Sequence, residues 1–312
     1  MNNSIWIILL VVVAALGLLL MPHSKTETGN QTEAVKMDWK VEAGAETMSG
    51  SLQALLFMPK EITIHEGDSI TWVLPDQAHE EHTIFFPAGG PHLALLFQGT
   101  DQRDYFEATY FIPSEEGMFD GSKPISGGVL APDHLSFTLT FTKAGDYKYI
   151  CGFHPGMEGM VHVIPSDQPL PKSMSDYAAM AQNEAGVSLE KATELYQQAS
   201  RPFVVTHDNG SKEYQMQMLG DPSIGATVLA FVPSELHIKV GDTVSWKMMD
   251  MSEIHTITFA NDQKDLPELV LTEPQENGPP LFVVNPKVSD PSGETAHAEG
   301  GYYNSGFLFD MP

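Results

Sequence analysis

The sequence predicts an all-β fold: an antiparallel β-sandwich, a short helical linker, and a second, partial copy of the same sandwich. Three observations carry this expectation. Short segments alternate apolar and polar residues between turn residues; Ile62 and Ile64, then Gly67-Asp68, then Ile70 and Trp72 read as strand, turn, strand. The segment Ala54–Val73 (ALLFMPKEITIHEGDSITWV) recurs as Val228–Lys247 (VLAFVPSELHIKVGDTVSWK) at an offset of 174 residues. A period that long denotes duplicated domains and not a solenoid. Helical periodicity is confined to the stretch between the two copies, which leaves the copies to sandwiches of short strands.

Composition bounds the rest. Sixteen Lys and Arg face 41 Asp and Glu in 312 residues, a net charge of −25 that repels phosphate backbones and excludes nucleic-acid binding as the main task. With 42% hydrophobic and 18% charged residues, the chain can build cores and is not a disordered acidic tail. Its 26 Gly and 22 Pro predict many turns. Cys151 is the only cysteine, which excludes an intramolecular disulfide and any site needing two thiolates from one chain.

Taken in order, residues 1–22 hold an apolar run, Ile5–Met21, at the short end of what spans a bilayer. It reads as a transmembrane anchor or a signal peptide; the absence of an A-x-A-like site after it favours the anchor. Residues 23–46 read as a flexible stalk. The first sandwich is expected over 47–165, with later strands at Ser136–Thr142, Tyr147–Cys151 and Met160–Ile164. A long insertion, Pro87–Pro132, is expected to pack over the sandwich, with Phe119–Gly128 as a surface loop. The linker, 166–203, predicts two short helices at Ser175–Ala185 and Ser188–Ala199, stopped by Gly186 and Pro202. Leu189, Ala192, Thr193 and Tyr196 form the packing stripe of the second. Residues 204–312 are expected to be an incomplete second sandwich: His82-Thr83-Ile84 is matched by His255-Thr256-Ile257, but no Cys or last two strands follow.

The chemistry sits in one loop, Cys151-Gly-Phe-His154-Pro-Gly-Met157, between two predicted strands. A thiolate, an imidazole and a thioether within seven residues are soft and borderline ligands that select copper over magnesium or calcium. Zinc would require a second thiolate or more histidines nearby. A trigonal His2Cys site with a long axial Met needs one further histidine, and His82, opening a strand after the Gly67-Asp68…Trp72 pair, is the candidate donor. Each residue alone has a bland explanation, since a single Cys is usually a small buried hydrophobe. The pattern gains its specificity from the four together. Met160 is the rival axial residue, disfavoured because alternate strand residues leave the site; His79 is the rival to His82, disfavoured because His255 has no counterpart of His79 beside it.

At these residues the chain resembles the cupredoxins, the plastocyanin-like and amicyanin-like blue copper proteins. The run Tyr149-Ile-Cys151-x2-His154-Pro-x-Met157-x-Gly159-x-Val161 carries the resemblance, which extends over about Ser51–Ile164 and in part over Val228–Phe259. It implies a Greek-key sandwich, one type 1 copper ion held by His82, Cys151 and His154 with Met157 as weak axial ligand, and one-electron transfer. It also implies an exposed edge of His154 flanked by Phe153 and Pro155, where a redox partner protein such as a cytochrome or oxidase docks. Copper oxidases and nitrite reductases of related build place a His beside the ligand Cys; here the neighbours are Ile150 and Gly152, so an enzyme is not expected. The expected function is an extracytoplasmic blue copper electron carrier, held at the membrane by its N-terminal segment or secreted. The alternative is a non-redox copper-binding, storage or sensing protein at the cell surface.

Overall fold

A computed structural model describes residues 36–308, apart from 77, 92, 116, 251 and 294–300. The expected anchor or signal peptide (5–21) and most of the expected stalk lie outside the described residues. Among the described residues, no helix is long and apolar enough to cross a membrane.

The stalk boundary at residue 46 is corrected. Residues Asp38–Glu46 form strand β1, in which Trp39, Val41 and Ala43 are buried while Asp38, Lys40 and Glu42 alternate outward or sit at intermediate depth. The first sandwich thus starts about nine residues earlier than the sequence predicts. Its other strands are β2 (Leu52–Met58), β3 (Glu61–His65), β4 (Ser69–Val73), β5 (His82–Phe86), β6 (Leu96–Gln98) and β7 (Asp104–Phe106). After a single helical turn, α1 (Ala108–Phe111), come β8 (Gly117–Phe119), β9 (Ile125–Leu130), β10 (Ser136–Phe141), β11 (Gly145–Ile150) and β12 (Glu158–Ile164). Asp68 pins the start of β1 to the β3–β4 turn: its buried carboxylate accepts from Met37 N, Trp39 Nε1 and His65 N at 2.9–3.0 Å.

Two sheets make the sandwich. One contains β2-β1-β4-β10-β8, the other β3-β12-β11-β5-β9. Between them lies an aromatic core in which Trp72 meets Phe86 at 5.5 Å and Tyr149 at 5.3 Å, all fully buried. The strict alternation along β10 and β12 explains why these strands are legible: Phe137, Leu139 and Phe141, and likewise Gly159, Val161 and Val163, all face inward. The segment Phe119–Gly128 is not wholly a surface loop, since Ile125–Leu130 pairs with β5 and buries Ser126, Gly127 and Gly128.

The linker forms one helix, α2 (Met174–Ala199), and not two. Ser173 caps it in a reciprocal box with Asp176. Gly186 costs an exposed helix about 1 kcal/mol relative to Ala, a penalty that packing on either side offsets. The buried face is Tyr177, Ala181, Ser188, Ala192, Leu195 and Ala199; of the expected stripe only Ala192 is buried, while Thr193 and Tyr196 face solvent. Tyr177 enters the sandwich core edge-on to Trp39 at 5.8 Å, and its hydroxyl accepts from Thr63 N at 2.8 Å.

Beyond the helix lie β13 (Phe203–Thr206), β14 (Lys212–Met218), β15 (Gly220–Asp221), β16 (Ala226–Val228), β17 (Thr243–Met248), β18 (Thr258–Phe259), β19 (Val270–Glu273), β20 (Leu281–Val284), α3 (Pro286–Ser289) and β21 (Tyr303–Asn304). β14 runs parallel to β17 as β1 runs parallel to β4. Other strands of this half join the first. β16 pairs with β2, and β20 pairs with β7 of the insertion. Lys36–Pro312 accordingly forms one compact unit.

Tyr177→Phe tests the docking of α2. Loss of the hydroxyl leaves the Thr63 N–H without its acceptor and is expected to lower unfolding free energy by about 1–3 kcal/mol, measured by urea denaturation. An unchanged midpoint would show that the helix does not seat its tyrosine in the sandwich.

Candidate metal centre

β5 and the β11–β12 loop bring three ligating side chains together. His82 opens β5, Cys151 follows β11 directly, and His154 lies in the loop; their ligating atoms fall within 4.8 Å of one another and all three residues are buried. His82 Nδ1 is 3.0 Å from His154 Nδ1, and Cys151 Sγ is 3.4 Å from His154 Nδ1. Nitrogen and sulfur donors each about 2.0–2.3 Å from a common ion stand roughly this far apart, so the donor set fits a metal. The loop is tight: Cys151 N donates to Met157 O at 2.9 Å and Met157 N to His154 O at 3.0 Å. Met157 is 2% exposed and shares the core cluster with Cys151. Met160 occupies the alternate register of β12, and His79 is turned away to Glu46, its Nδ1 3.1 Å from that carboxylate.

Close approach at two glycines makes room for this cluster. Gly44 lies at a bulge in β1 with φ +75°, and a Cβ there would fall 2.2 Å from His82 Nε2. Gly152, next to the cysteine, packs under Tyr110 of the insertion, whose ring atoms would be 2.3 Å from an added Cβ. Tyr110 thus packs beside the cysteine, while β8 and β9 of the same insertion are built into the sandwich sheets and do not lie over them. Tyr110 is fully buried, donates to Leu93 O at 2.6 Å, and has its phenol pushed up to about 12, first by burial and then by Glu107 and Cys151.

Thr83 touches the sulfur, a contact that no spacing in the sequence announces. Its backbone N–H donates to Cys151 Sγ at 3.3 Å; its hydroxyl lies 3.7 Å from the same sulfur and accepts from Gly152 N at 2.6 Å. These donors favour the thiolate. Burial alone pushes the Cys151 thiol up, but the His154 and His82 rings outweigh burial and hold it well below its ordinary value. Burial pulls His154 down, and Glu253 and the Cys151 thiolate more than reverse this, leaving it well above its ordinary value.

The expected exposed edge of His154 is corrected. The residue is 2% exposed, because Glu80 Oε1 stands 3.3 Å and Glu253 Oε1 2.9 Å from Nε2. Glu80 is held below the usual carboxylate range by His154 against the opposing effect of burial; Glu253 is pushed up by burial, with His154 opposing. Of the expected docking patch, Pro155 is exposed. Phe153 is half-buried, packing on Phe111 at 5.3 Å, which in turn stacks on Phe282 at 4.5 Å. Glu80 is near His82 in sequence, but Glu253 carries no ligand spacing relative to the loop, and only the fold shows it.

Residues 43–164 match the plastocyanin/azurin family of copper-binding proteins. They form a cupredoxin domain. Among solved structures similar to the chain are a Cu(I) form of an amicyanin mutant (22% identity, 41% of this chain and 82% of that chain, TM-score 0.26) and an oxidized amicyanin mutant (23% identity, the same coverage, TM-score 0.26). A reduced amicyanin mutant at pH 4 is 22% identical over 42% of this chain and 87% of that chain, with a TM-score of 0.26. No curated protein matches the chain. The cupredoxin domain supplies His82, Cys151, His154 and Met157; Glu253 lies outside it.

Two outcomes are expected of the metal-free protein. Gly152→Ala should drive a methyl into the Tyr110 ring and destabilise by about 1–3 kcal/mol, read by thermal unfolding; a neutral result would place Tyr110 elsewhere. The Cys151–His154 pair should also shape the pH profile. Cys151 titrates below its ordinary 9.0 and His154 above its ordinary 6.5. Where the two shifts overlap inside that range, the folded protein lacks one proton that the unfolded chain holds on Cys and keeps one that it loses from His, so the contributions cancel. The pair's contribution, read as wild type against the Cys151→Ala/His154→Ala double variant, should therefore be flat where the two shifts overlap between pH 6.5 and 9.0. It should fall on the acid side, through the folded cysteine value, and on the alkaline side, through the folded histidine value. A steady slope in urea midpoints across that window would contradict the pairing.

Proposed function

We propose that this chain is a blue (type 1) copper protein that carries single electrons outside the cytoplasm, attached to a membrane through residues 5–21 or secreted. The observation that supports this most strongly is the buried convergence of Cys151 Sγ with the Nδ1 atoms of His82 and His154 beside Met157 in a copper-binding family domain. A copper ion bound there supplies a Cu(I)/Cu(II) couple. The chain's part is to keep the donor geometry the same in both states. β5 holds His82 between β9 and β11, the Thr83 N–H fixes the sulfur, and the carbonyls of His154 and Met157, accepting from Met157 N and Cys151 N, hold the loop closed. Burial excludes water as a competing ligand and limits reorganisation when the charge changes. Met157 is assigned the weak axial position. The reading is of a carrier and not an enzyme, since Ile150 and Gly152 beside the cysteine offer no ligand for a second redox metal. Its partner is a redox protein such as a cytochrome or an oxidase.

One observation favours the second reading, a non-redox copper-binding, storage or sensing protein: the outer edge of His154 is closed. Copper titration with an optical spectrum separates the two. The carrier should take up one copper per chain, show an intense visible thiolate-to-copper band, and cycle reversibly at an electrode. Cys151→Ser should bind without colour, because a hydroxyl is a hard, poorly ionised replacement for thiolate. Met157→Leu should keep the colour and raise the reduction potential, since a lost axial donor disfavours Cu(II). A colourless copper-loaded wild type would end the carrier reading, and a coloured Cys151→Ser would end the ligand assignment.

A further inference from the structure

A second group of ligating side chains shares His154 but looks outward: Glu80, His154 and Glu253 have donor atoms within 4.8 Å of one another. Glu80 Oε1 accepts along the Nε2 direction at 3.3 Å. Glu253 Oε1 is closer, at 2.9 Å, as an ion pair off that axis, and this oxygen has no hydrogen-bond partner. The Glu253 side chain is only 13% exposed, and its ion pair among the described residues is with His154. A carboxylate so placed is costly unless a positive or proton-donating group faces it.

The segment that presents Glu253 is anchored and not a loose flap. It lies between β17 and β18. Asp250, fully buried, accepts from Thr227 Oγ1 and from Ser252 N, and Gly220 packs directly against its carboxylate. Thr227 belongs to β16, which is hydrogen-bonded to β2 of the cupredoxin domain. A continuous path of main-chain and side-chain bonds therefore runs from the first sheet through Thr227 and Asp250 to the turn that carries Glu253.

Two carboxylate oxygens beside Nε2 repel a lone pair there and favour a hydrogen. When the ring gives up a proton to become a ligand, the one on Nδ1 leaves, freeing the lone pair of the atom 3.4 Å from Cys151 Sγ and 3.0 Å from His82 Nδ1. A carboxylate on the far nitrogen of a ligand histidine sets both its tautomer and its orientation.

We propose that Glu253 is a positioning residue of the metal centre: with Glu80 it holds the Nε2–H tautomer of His154, offers Nδ1 to the metal, and closes the outer edge of that ring with a residue from the second half of the chain. The second half is then a working part of the copper site. Electrons reach copper through packed protein, not through a bare imidazole edge. This rests on the copper reading above.

The test uses the full-length chain with copper. In the wild-type Cu(I) protein, a slowly exchanging ring N–H of His154 should be visible by nitrogen-edited NMR. Glu253→Gln keeps the shape and an acceptor but loses the charge; it should hold copper and its colour while the reduction potential shifts upward, because a nearby negative charge favours Cu(II). Glu253→Ala should lose about 10- to 100-fold in copper affinity, read by chelator competition, and the ring N–H should exchange rapidly. Circular dichroism checks that both variants fold. Folded variants with wild-type potential, affinity and N–H exchange would overturn the role of Glu253. So would a wild-type His154 with no protected N–H, even if neither variant folds. A wild type that binds no copper would remove the copper reading and this one with it, and is told apart by the titration alone.

Discussion

The whole arrangement depends on placing a thiol and two imidazoles in contact inside an apolar core. Such groups are costly to bury unless each polar atom is answered. In the metal-free chain the answers come from one another and from a narrow set of partners. The Thr83 N–H faces the sulfur, and two carboxylates face the far nitrogen of His154. The donors are thus preorganised around a point, which is what a metal with fixed geometry in two oxidation states requires.

That preorganisation comes from elements far apart in sequence. β5 sits between β9 and β11, so that His82 and Thr83 face the end of β11 where Cys151 leaves the sheet. The bulge at Gly44 gives the His82 ring its space, and Gly152 lets Tyr110 of the insertion lie over the cysteine. Each glycine is adjacent to a ring that fills the volume a side chain would take. The site is therefore held by packing as much as by bonds.

Among the described residues, several contacts join the second half to the first. β16 extends the sheet beside β2, β20 extends β7 with Phe282 stacked on Phe111, and Glu253 reaches His154. The helix α2 packs against β1, β2 and β16 at once. An edge strand that is paired no longer offers unpaired backbone groups, and here the strands of one half cover edges of the other. The described residues of the two halves form one compact unit.

The sequence alone determined much of the centre. Period-two alternation marks β3, β4, β10 and β12, because one face of each strand is more deeply buried than the other. The Cys151–His154–Met157 spacing is local, so its chemistry can be read without a fold, and His82 follows from its place after β4. The alternation of Trp39, Val41 and Ala43 is equally present but lies between charged neighbours, which makes it read as stalk. Helix boundaries misled for a different reason: Gly186 is a local stop signal that packing of Tyr177, Ala192 and Leu195 overrides. What only the tertiary structure decided is everything set by approach between distant segments. Thr83 on the sulfur, Tyr110 over Gly152 and Glu253 on His154 leave no spacing pattern in the chain, because the distances that define them run through space, across paired sheets, and not along the backbone.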